Sequence, residues 1–554
     1  MAQLKQLVAE SFEALIKEEK LPSPQSETEY TVTPPVKEEF GDFTTNAAMV
    51  RAKDFRLPPR KIAELLAEKL QSDPLIKSVE VAGPGFLNIK MLDTYWHEIL
   101  AEIVENKENL TALYTHTDKP LKILVEFVSA NPTGPMHFGH GRGAVVGDVI
   151  ANLLKAYGHD VTKEYYINDA GNQMENLAKT TMVRYKQAVE GNFDNNECPE
   201  GGYLGDYLKE IAQELLEEDG GYKEHDLDWF REKAKEKILV IIKNTLEEMG
   251  ISFDNWYSEL SLYEDGKLDR ALDELKESGV LYEKEGALWM NTSDLGDEKD
   301  RVVVKSDGEK TYFASDIVYH KEKMERGFDL LVNIWGADHH GYINRLKAAL
   351  ELVGYDRECL KISLVKLVNL KKGGEALKMS KRGDSFITIN DVMEEVGKDA
   401  ARFTFLTRSA DSNLDFDLDL AVSKSKENPV YYTQYAFARL NSLFVKAEEN
   451  ELTIPENFSV KDLEPLKEEE EISLIKELNY YPDVIKKAAE KYEPHLLTYY
   501  ILELSAKLHK FYYNHKVISE AKEVSVARLL LLHAVHAVLK DGLNLLGVAA
   551  PERM

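Results

Sequence analysis

The stretch from residue 121 to residue 169 constrains the fold more than any other part of this sequence. It begins with a continuous apolar run, LKILVEFV (121–128), which is typical of a buried strand. GRGAVVGDVIANLLKAYG (141–158) follows with helical spacing, and VTKEYYIND (161–169) is a second strand pattern. A strand, a helix and a strand in succession predict two parallel strands joined by a crossover helix, and therefore an α/β domain.

The pattern changes along the chain and predicts several regions around this unit. The strand pattern returns at LLVNIWGADHHGY (330–342) and LKISLVKLVNL (360–370). Between the two halves of the sheet, residues 175–290 are rich in Glu, Lys and Tyr and predict a helical insertion, with no strand signal before GALWM (286–290). The predicted regions are an additional α+β domain (1–112), the sheet domain with its insertion (113–385), a connecting segment (386–427) and a helical bundle (428–554).

Composition excludes several classes of protein. Of the 554 residues, 44% are hydrophobic and 30% are charged, as in a soluble globular protein with a large core. The only cysteines, Cys198 and Cys359, are far apart, so neither a disulfide framework nor a cysteine-rich zinc site is expected. No apolar run reaches the roughly 20 residues of a membrane span, and the N-terminus lacks a signal-peptide pattern. We therefore expect a cytoplasmic protein.

The charge balance bears on nucleic-acid binding. A net charge of −28 argues against a general nucleic-acid-binding protein, because contacts with phosphates need Lys and Arg. It leaves room for a local basic face on an acidic body, whose excess of acids suppresses indiscriminate RNA binding. A specific RNA surface is therefore compatible with the composition.

SANPTGPMHFGHGRG (129–143) is the first candidate site. It lies where the first strand ends and the crossover helix begins, the position at which open parallel sheets bind ligands. The helix N-terminus offers free N–H groups to a phosphate, and Gly139 and Gly141 allow the backbone to approach a ligand closely. His137 and His140 are spaced to donate hydrogen bonds to charge on a phosphoryl oxygen. Alone, HFGH is also compatible with an ordinary glycine-rich loop.

KMSKRGDS (378–385) is the second candidate site. It lies in a glycine-rich segment, KKGGEALKMSKRGD, after the strand pattern that ends at residue 370. Lys378 and Lys381 flank a serine and are able to hold the terminal phosphates of a nucleotide. Alone, this segment is also typical of a solvated basic loop. Because both motifs follow a strand, we interpret them together as a nucleotide site.

The two motifs resemble the HIGH and KMSKS signatures of class I aminoacyl-tRNA synthetases, with Arg382 in place of the last serine. Longer stretches resemble the arginyl-tRNA synthetases in particular: VEFVSANPTGPMHFGHGRGAVVGD, VNIWGADHHGYINRLKAAL, KDAARFTFL, NPVYYTQYAFAR and LNLLGVAAPERM. GDFTTNAAM and GPGFLNIKM resemble the additional N-terminal domain of that family. The resemblance covers essentially the whole chain. It implies a Rossmann-type parallel-sheet catalytic domain with a helical insertion, an N-terminal α+β domain and a C-terminal helical anticodon-binding bundle.

The resemblance also implies a reaction in two steps. Arginine attacks the α-phosphorus of ATP to give arginyl-adenylate, and the arginyl group then moves to the 2′-hydroxyl of the terminal adenosine of tRNA. The implied catalytic residues are His137, His140, Lys378 and Lys381. The implied ATP-binding residues are Pro132, Gly139, Gly141, Asp338, His339, Met379 and Ser380, and the implied arginine-binding residues are Glu126, Ser129, Asn131, Tyr312, Asp316 and His340. The implied tRNA-binding residues are Phe43, Asn46, Tyr431, Gln434, Tyr435 and Arg439.

Physical chemistry agrees with arginine but leaves alternatives for single residues. A guanidinium is a charged, planar fork of donors that suits carboxylates and aromatic rings, such as Asp316 and Tyr312. Glu126 is also interpretable as a strand-end acid paired with a lysine, Asp316 as a surface acid, and the helical tyrosines as core residues. His339 and His340 suggest a metal pair, but adjacent residues of a strand point in opposite directions, so joint chelation is not expected.

We therefore predict a monomeric enzyme whose partners are tRNA, L-arginine and ATP, with no membrane or DNA partner. Mg²⁺ enters with the nucleotide, and the protein alone holds neither this metal nor zinc. Two alternatives are a class I synthetase of another specificity and a non-catalytic tRNA-binding paralogue. The cysteinyl type needs a zinc site that two isolated cysteines do not provide, and a bare nucleotidyltransferase does not need a helical C-terminal domain. Intact HFGH and KMSK motifs argue against the paralogue.

Overall fold

The computed structural model describes residues 2–26, 28–35, 37–114, 117, 119–264, 266–377, 386–455, 457–519 and 521–554. Its first helices are α1 (Ala2–Lys17), α2 (Ala47–Val50), α3 (Ala52–Phe55), α4 (Pro59–Leu70), α5 (Asp93–Glu105) and α6 (Thr111–Tyr114), with a 3₁₀ turn at Glu38–Phe40. Its first strands are β1 (Val32–Thr33), β2 (Phe43–Thr45), β3 (Ile76–Ala82) and β4 (Phe86–Met91). They form an antiparallel sheet in the order β1-β2-β4-β3. Apolar residues at helical spacing on α4, such as Ile62, Leu66 and Leu70, are fully buried and join this sheet to α1.

The middle of the chain forms three further sheets. Its strands are β5 (Lys122–Glu126), β6 (Asp160–Ile167), β7 (Asn255–Ser258), β8 (Leu281–Lys284), β9 (Ala287–Met290), β10 (Arg301–Val304), β11 (Leu330–Gly336), β12 (Leu360–Val365), β13 (Val368–Lys372), β14 (Glu375–Ala376) and β15 (Leu414–Asp417). The central sheet is parallel throughout, in the order β12-β11-β5-β6-β7. A hairpin sheet (β10-β9-β8) and a small mixed sheet (β14-β13-β15) lie beside it.

Helices surround these sheets and cover both faces of the central one. They are α7 (Phe138–Ala156), α8 (Asn172–Glu190), α9 (Tyr207–Glu218), α10 (Leu227–Glu248), α11 (Leu260–Glu264), α12 (Lys267–Glu277), α13 (Tyr312–Glu325), α14 (Ile343–Leu352), α15 (Ile389–Val396), α16 (Lys398–Phe405) and α17 (Leu418–Val422). Short 3₁₀ turns occur at Asn195–Glu197, Ser293–Leu295, Ala337–Tyr342 and Arg357–Cys359. The strand-helix-strand prediction is confirmed, because β5, α7 and β6 form a parallel crossover unit. β5 lies in the middle of the sheet, which explains its continuous apolar run.

Two interpretations of the sequence are wrong. β7 and β8 lie inside residues 175–290, where no strand signal was expected before GALWM, and β7 is the edge strand of the central sheet. Its four residues, NWYS, are too few and too polar to stand out. The run 360–370 is also not one strand, because it breaks at Lys366 and Leu367 and passes from the central sheet into the small mixed sheet. Apolar residues on both sides of the break conceal this change.

The C-terminal part is a helical bundle. Its helices are α18 (Pro429–Glu449), α19 (Glu469–Lys491), α20 (His495–Asn514) and α21 (Lys522–Leu545), with a 3₁₀ turn at Val460–Leu463. Asn428 caps α18 by accepting a hydrogen bond from the backbone N–H of Tyr431 at 3.4 Å, and Pro429 takes the first helical position. Among the helices that the structure describes, none has the length and apolar character needed to cross a bilayer. The predicted fold class, an α/β parallel-sheet domain with an N-terminal α+β part and a C-terminal helical bundle, is confirmed.

Candidate active site

The carboxyl ends of the five central strands share one edge of the sheet, because the strands run parallel. Asn131 follows the end of β5, Glu259 follows β7 and Asp338 follows β11. Tyr312 and Asp316 lie at the start of α13, whose far end leads back to the start of β11. The topology therefore brings candidate residues from distant parts of the sequence to one edge, where α/β sheets bind ligands.

The turn after β5 has a strained backbone. Val128 and Ser129 have φ values of 68° and 44°, in the left-handed region that costs about 1–3 kcal/mol for such residues. The Ser129 hydroxyl accepts a hydrogen bond from the Tyr166 N–H at 3.1 Å, and the Asn131 amide donates to Gln173 at 2.8 Å. These bonds hold the turn open toward the shared edge. Pro132 is buried in this turn, and its contact with ATP stays a prediction.

The HFGH motif forms the start of α7, three residues earlier than the predicted start at Gly141. His137 is the N-cap residue, and its ring stacks on that of His140 with 3.6 Å between centroids and an angle of 22°. A Cβ atom on Gly139 would lie 2.9 Å from the His137 ring, so the ring stack itself requires glycine there. A Cβ atom on Gly141 would meet the buried Phe405 ring at 2.9 Å. Gly141 therefore serves helix packing, and its contact with ATP stays a prediction.

Both imidazoles of the motif are neutral at pH 7. Burial lowers the pKa of His137, and burial together with the nearby His137 ring lowers the pKa of His140 to about 3. A neutral imidazole has one N–H to donate. Two stacked donors at a helix N-terminus form a surface that suits a phosphoryl group, whose negative charge the helix end also favours.

The backbone joins the two signature motifs. His137 and Thr388 form an isolated β-bridge, in which the Phe138 N–H donates to the Ile387 carbonyl at 2.9 Å and the Ile389 N–H donates to the Met136 carbonyl at 3.1 Å. The chain that follows the KMSKR segment is thus paired with the start of HFGH. Lys378, Met379, Ser380 and Lys381 themselves lie outside the described residues.

Asp316 and Glu259 form an acidic pocket between α13 and the end of β7. Burial raises the pKa of Asp316 to about 6, with the Glu126 carboxylate adding to the increase. Burial raises the pKa of Glu259 to about 7, with Asp316 adding to it. Hydroxyl groups line the pocket: Tyr342 donates to Asp316, and Tyr166 faces Glu259. Neither carboxylate forms an ion pair with a residue that the structure describes, so the pocket suits a cation from outside.

Glu126 does not belong to this group of unpaired acids. It forms a buried ion pair with Lys323, whose side chain is fully enclosed. The Ser129 hydroxyl also donates to it at 3.4 Å. The interpretation of Glu126 as a strand-end acid paired with a lysine therefore applies, and its contact with arginine stays a prediction.

A cavity of about 780 Å³ opens beside the acidic pocket. Tyr312 lies in its wall with 75% of its surface exposed, and Tyr263, whose hydroxyl bonds that of Ser315 at 2.7 Å, lies opposite. The volume is within the range of about 300–1,000 Å³ of ligand pockets. The exposed tyrosine ring offers a flat face to a planar group that enters the pocket.

Asp338, His339 and His340 lie in the 3₁₀ turn Ala337–Tyr342, directly after β11. All three are exposed, and the His339 Nε2 atom is 3.8 Å from the Asp338 carboxylate. They are therefore not on a strand, and the argument from strand alternation against a metal pair does not apply to them. Their contacts with ATP and arginine stay predictions.

No group of three or more His, Cys, Asp or Glu side chains within the described ranges is placed to hold a metal ion. Cys198 and Cys359 are both free. The only divalent ion that the site calls for is one that enters with the phosphates of ATP, and this stays a prediction.

Sequence interpretation missed Glu259, Tyr166 and Tyr342. Glu259 stands alone after a four-residue strand that the sequence did not reveal, so no local signal marks it. Tyr166 and Tyr342 lie in stretches that were interpreted only as strand and strand end. Their roles emerge once Asp316 is placed between them.

The predicted tRNA-binding residues of α18 include an exposed aromatic stack. Tyr431 and Tyr435 stack with 6.0 Å between ring centroids and an angle of 11°, and Tyr435 continues to His509 at 5.9 Å. Tyr435 has 42% of its surface exposed. Exposed stacked rings suit unpaired RNA bases.

Two other residues of α18 already have partners inside the protein. The Gln434 amide donates to Asp399 and to the Ala549 carbonyl, both at 2.9 Å. The Arg439 guanidinium lies 3.6 Å from the centre of the Tyr512 ring. Gln434 thus ties α18 to the C-terminal segment, and a contact of either residue with RNA stays a prediction.

The N-terminal part corrects one prediction. Phe43 is fully buried and stacks on Trp96 with 5.7 Å between ring centroids, so its predicted contact with tRNA is wrong. Asn46 is half-buried, and its side-chain oxygen accepts a hydrogen bond from the Thr31 N–H at 2.9 Å. Phe40, three residues before Phe43 in the sequence, is an aromatic side chain with 43% of its surface exposed.

Family models match three successive parts of the chain. The arginyl tRNA synthetase N-terminal domain matches residues 2–91, the catalytic domain of class I (R) tRNA synthetases matches 100–409, and the DALR anticodon-binding domain matches 433–554. The catalytic-domain model thus covers more than half of the chain.

Relatives match the chain along nearly its whole length. The arginine–tRNA ligase of Citrifermentans bemidjiense is 47% identical over 530 residues, which cover 94% of each chain. Arginine–tRNA ligase 1 of Halalkalibacterium halodurans is 46% identical over 561 residues, which cover 100% of both. The solved arginyl-tRNA synthetase of Thermus thermophilus shares the fold, with a TM-score of 0.75 at 22% identity and 100% coverage of both chains. The chain belongs to the arginyl-tRNA synthetase family and is an enzyme that ligates arginine to tRNA.

Proposed function

We propose that the carboxyl edge of the central sheet activates arginine, with ATP over the HFGH motif and the arginine side chain in the acidic pocket. The observation that carries the proposal is the pair Asp316, half-buried, and Glu259, buried, neither of which forms an ion pair with a described residue. The charges of Lys323 and Arg345 act on Asp316 only through space, without a direct ion pair. A guanidinium is always charged and presents a fork of donors that matches carboxylates. Its arrival supplies the ion-pair partner that these two acids lack, and the Tyr312 ring covers its flat face.

The first step joins arginine to AMP. An oxygen of the arginine carboxylate attacks the α-phosphorus of ATP, the bond to the bridging oxygen breaks, and pyrophosphate leaves. Mg²⁺ bound to these phosphates would share their negative charge. His137 and His140 donate hydrogen bonds to the α-phosphoryl oxygens as negative charge shifts onto them. From the sequence motif, Lys378 and Lys381, with Met379 and Ser380, hold the β and γ phosphates.

The turn after β5 orients the reacting end of arginine. Ser129 and Asn131 bind the α-amino and carboxylate groups, while the side chain extends into the acidic pocket. Asp338 and His339 lie on the ATP side of the same edge, and His340 on the arginine side. Catalysis then rests mainly on positioning, which is how phosphoryl and nucleotidyl transfer is accelerated with little covalent chemistry from the protein.

The second step transfers arginine to tRNA. The 2′-hydroxyl of the terminal adenosine attacks the carbonyl carbon of the adenylate and loses its proton, and AMP leaves. The stacked rings of Tyr431 and Tyr435 bind bases of the tRNA, and Asn46 lies near its outer corner. A monomeric state and a cytoplasmic location, as expected from the sequence, complete the proposal.

ATP–pyrophosphate exchange with each amino acid, in the presence and absence of tRNA, tests the activity. Among the amino acids, we expect only arginine to support exchange, and we expect the arginyl group to appear on tRNA. Exchange with cysteine or glutamate but not arginine would refute the assignment of the pocket. Binding of tRNA without any aminoacylation would favour the non-catalytic alternative.

His140→Asn tests the ATP half of the site. We expect its turnover in exchange to fall by about 10²–10³-fold, the usual loss for one donor to a developing negative charge, with the KM for arginine unchanged. His159→Asn is the matched control, since His159 lies at the opposite edge of the sheet, where it accepts a hydrogen bond from the Leu121 N–H at 3.2 Å. Equal turnover of the two variants would contradict the role of His140.

A further inference from the structure

Arg142, two residues after His140, is a fully buried cation whose bonds all go to backbone carbonyls. Its Nη1 donates to the carbonyls of Ser412 at 2.7 Å and Lys366 at 3.1 Å, and its Nη2 donates to the carbonyl of Ser409 at 2.8 Å. It forms no ion pair with any residue that the structure describes. Burial lowers the pKa of Arg142, and the charge of Asp411 opposes this only from beyond ion-pair distance. Burying a charge without a direct ion pair is costly, so a guanidinium here indicates a demand for its geometry.

The three carbonyls belong to the entrances of two neighbouring strands. Lys366 lies in the break between β12 and β13, and the two serines lie in the connection from α16 to β15. β13 and β15 pair in parallel from Val368 and Leu414 onward. The planar fork of one arginine therefore holds both starting ends of the small mixed sheet against α7.

This sheet leads to the second signature motif. β13 turns into β14, and the described chain then runs to residue 377, directly before KMSKR. On the other side of the motif, the chain returns at residue 386 and pairs with Met136 and Phe138. The chain on each side of the KMSKR motif is thus connected to the first turns of α7. The chain after the motif is connected by backbone hydrogen bonds, and the sheet before it is connected through Arg142.

We propose that Arg142 is a positioning residue for adenylate formation, because its three carbonyl bonds align the small mixed sheet with the helix that bears His137 and His140. The inference rests on the proposed function, since it requires ATP to lie over HFGH. Arginine binds in the acidic pocket on α13 and tRNA binds on α18, away from Arg142. Loss of the guanidinium therefore acts on the ATP step and not on the binding of arginine or tRNA.

Arg142→Met and Arg142→Lys test the inference. Methionine removes the charge and all donors at similar length, while lysine keeps the charge but lacks the planar fork that spans three carbonyls. Arg184→Met is the matched control: Arg184 on α8 is also fully buried, bonds the neutral side-chain oxygens of Gln187 and Asn195, and likewise has an Nε atom without a partner. Each variant is measured for melting temperature, for turnover and KM in ATP–pyrophosphate exchange with tRNA present, and for tRNA affinity.

We expect Arg142→Met to lower exchange turnover by about 10²-fold and Arg142→Lys by about tenfold, since small misplacements of reacting groups have effects of this size. The KM for arginine and the tRNA affinity stay close to the wild-type values in both. Arg184→Met lowers the melting temperature but keeps wild-type turnover.

Wild-type turnover in the Arg142 variants, once folded, would overturn the inference and make Arg142 a stability residue only. If Arg142→Met does not fold, Arg142→Lys decides by the same criterion. Failure of the proposed function is distinguishable, because it appears as unchanged turnover in His140→Asn. A lowered turnover in His140→Asn with unchanged turnover in both Arg142 variants would refute only the role of Arg142.

Discussion

Buried carboxyl groups of two kinds lie near one edge of the central sheet. Glu126 and Glu164, on β5 and β6, each have a cation beside them. Glu126 pairs with Lys323, and Glu164 accepts two bonds from Arg326 at 2.6 and 2.9 Å. Glu164 also accepts a hydrogen bond from the Tyr319 hydroxyl at 2.7 Å. These acids are satisfied within the fold.

Asp316 and Glu259 differ from them in one respect, which is that neither forms an ion pair with a described residue and hydroxyl groups donate their hydrogen bonds. Their pKa values are raised to about 6 and about 7, whereas the pKa of Glu164 is lowered despite its burial, because Arg326 supplies a positive charge. An unpaired buried carboxylate costs stability in the free protein. A fold retains two such acids at a site where a ligand supplies the positive charge. The presence or absence of an ion-pair partner within the protein therefore distinguishes structural acids from ligand-binding ones.

Asp316→Asn tests the role of the acids without an ion pair and has the largest expected effect. We expect the KM for arginine to rise by about 10²–10³-fold, because a buried guanidinium loses a charged partner worth roughly 2–5 kcal/mol. Exchange kinetics at saturating ATP and tRNA measure it. The melting temperature of the free enzyme should not fall, since no protein cation loses its partner.

Glu164→Gln is the matched structural variant. It leaves Arg326 without its two-bond partner, and breaking a buried pair costs roughly 3–5 kcal/mol, so its melting temperature should fall clearly. Its KM for arginine should stay at the wild-type value. A rise in KM similar to that of Asp316→Asn would remove the distinction between the two kinds of acid.

The pH dependence of arginine binding has a smaller expected effect. A guanidinium binds most tightly when both acids are ionised. In the free enzyme, however, the pKa of Glu259 is about 7 and that of Asp316 is about 6. As pH falls below 7, the KM for arginine should therefore rise, by about tenfold per unit for each proton that arginine must displace. Steady-state exchange between pH 5.5 and 8.5 measures this. Glu259→Gln should abolish the part of the rise nearest pH 7, and a flat wild-type profile would contradict the assignment.

The sequence predicted the parts of the site that local patterns encode. HFGH and the strand before it are contiguous, so their position at the carboxyl edge follows from the crossover unit alone. Whether Glu126 is free or paired depends on Lys323, 197 residues away, and the sequence left both possibilities open. Glu259 depends on a strand too short to recognise. Phe43 was misplaced because a motif does not reveal which face of a short strand meets the core.

The smallest expected effect concerns the stability of the free enzyme. The pKa of Glu259 in the folded state, about 7, exceeds its ordinary value, so its contribution to stability is present in acid and is lost as pH rises through 7. Glutamine does not ionise, so Glu259→Gln avoids the loss of stability that ionisation of Glu259 causes at high pH. It should raise the free energy of unfolding at pH 8 by about 1 kcal/mol, because the amide also keeps part of the hydrogen bonding.

At pH 5 the acid is neutral in the folded wild type, so the melting temperatures of Glu259→Gln and wild type should converge. Saturating arginine at pH 8 should reverse the order, because the wild type gains more binding free energy. Thermal unfolding at both pH values, with and without arginine, measures all four cases. A variant less stable than wild type at pH 8 without arginine would mean that a positive charge within the protein already neutralises Glu259, and the acidic pocket would then be structural like Glu164.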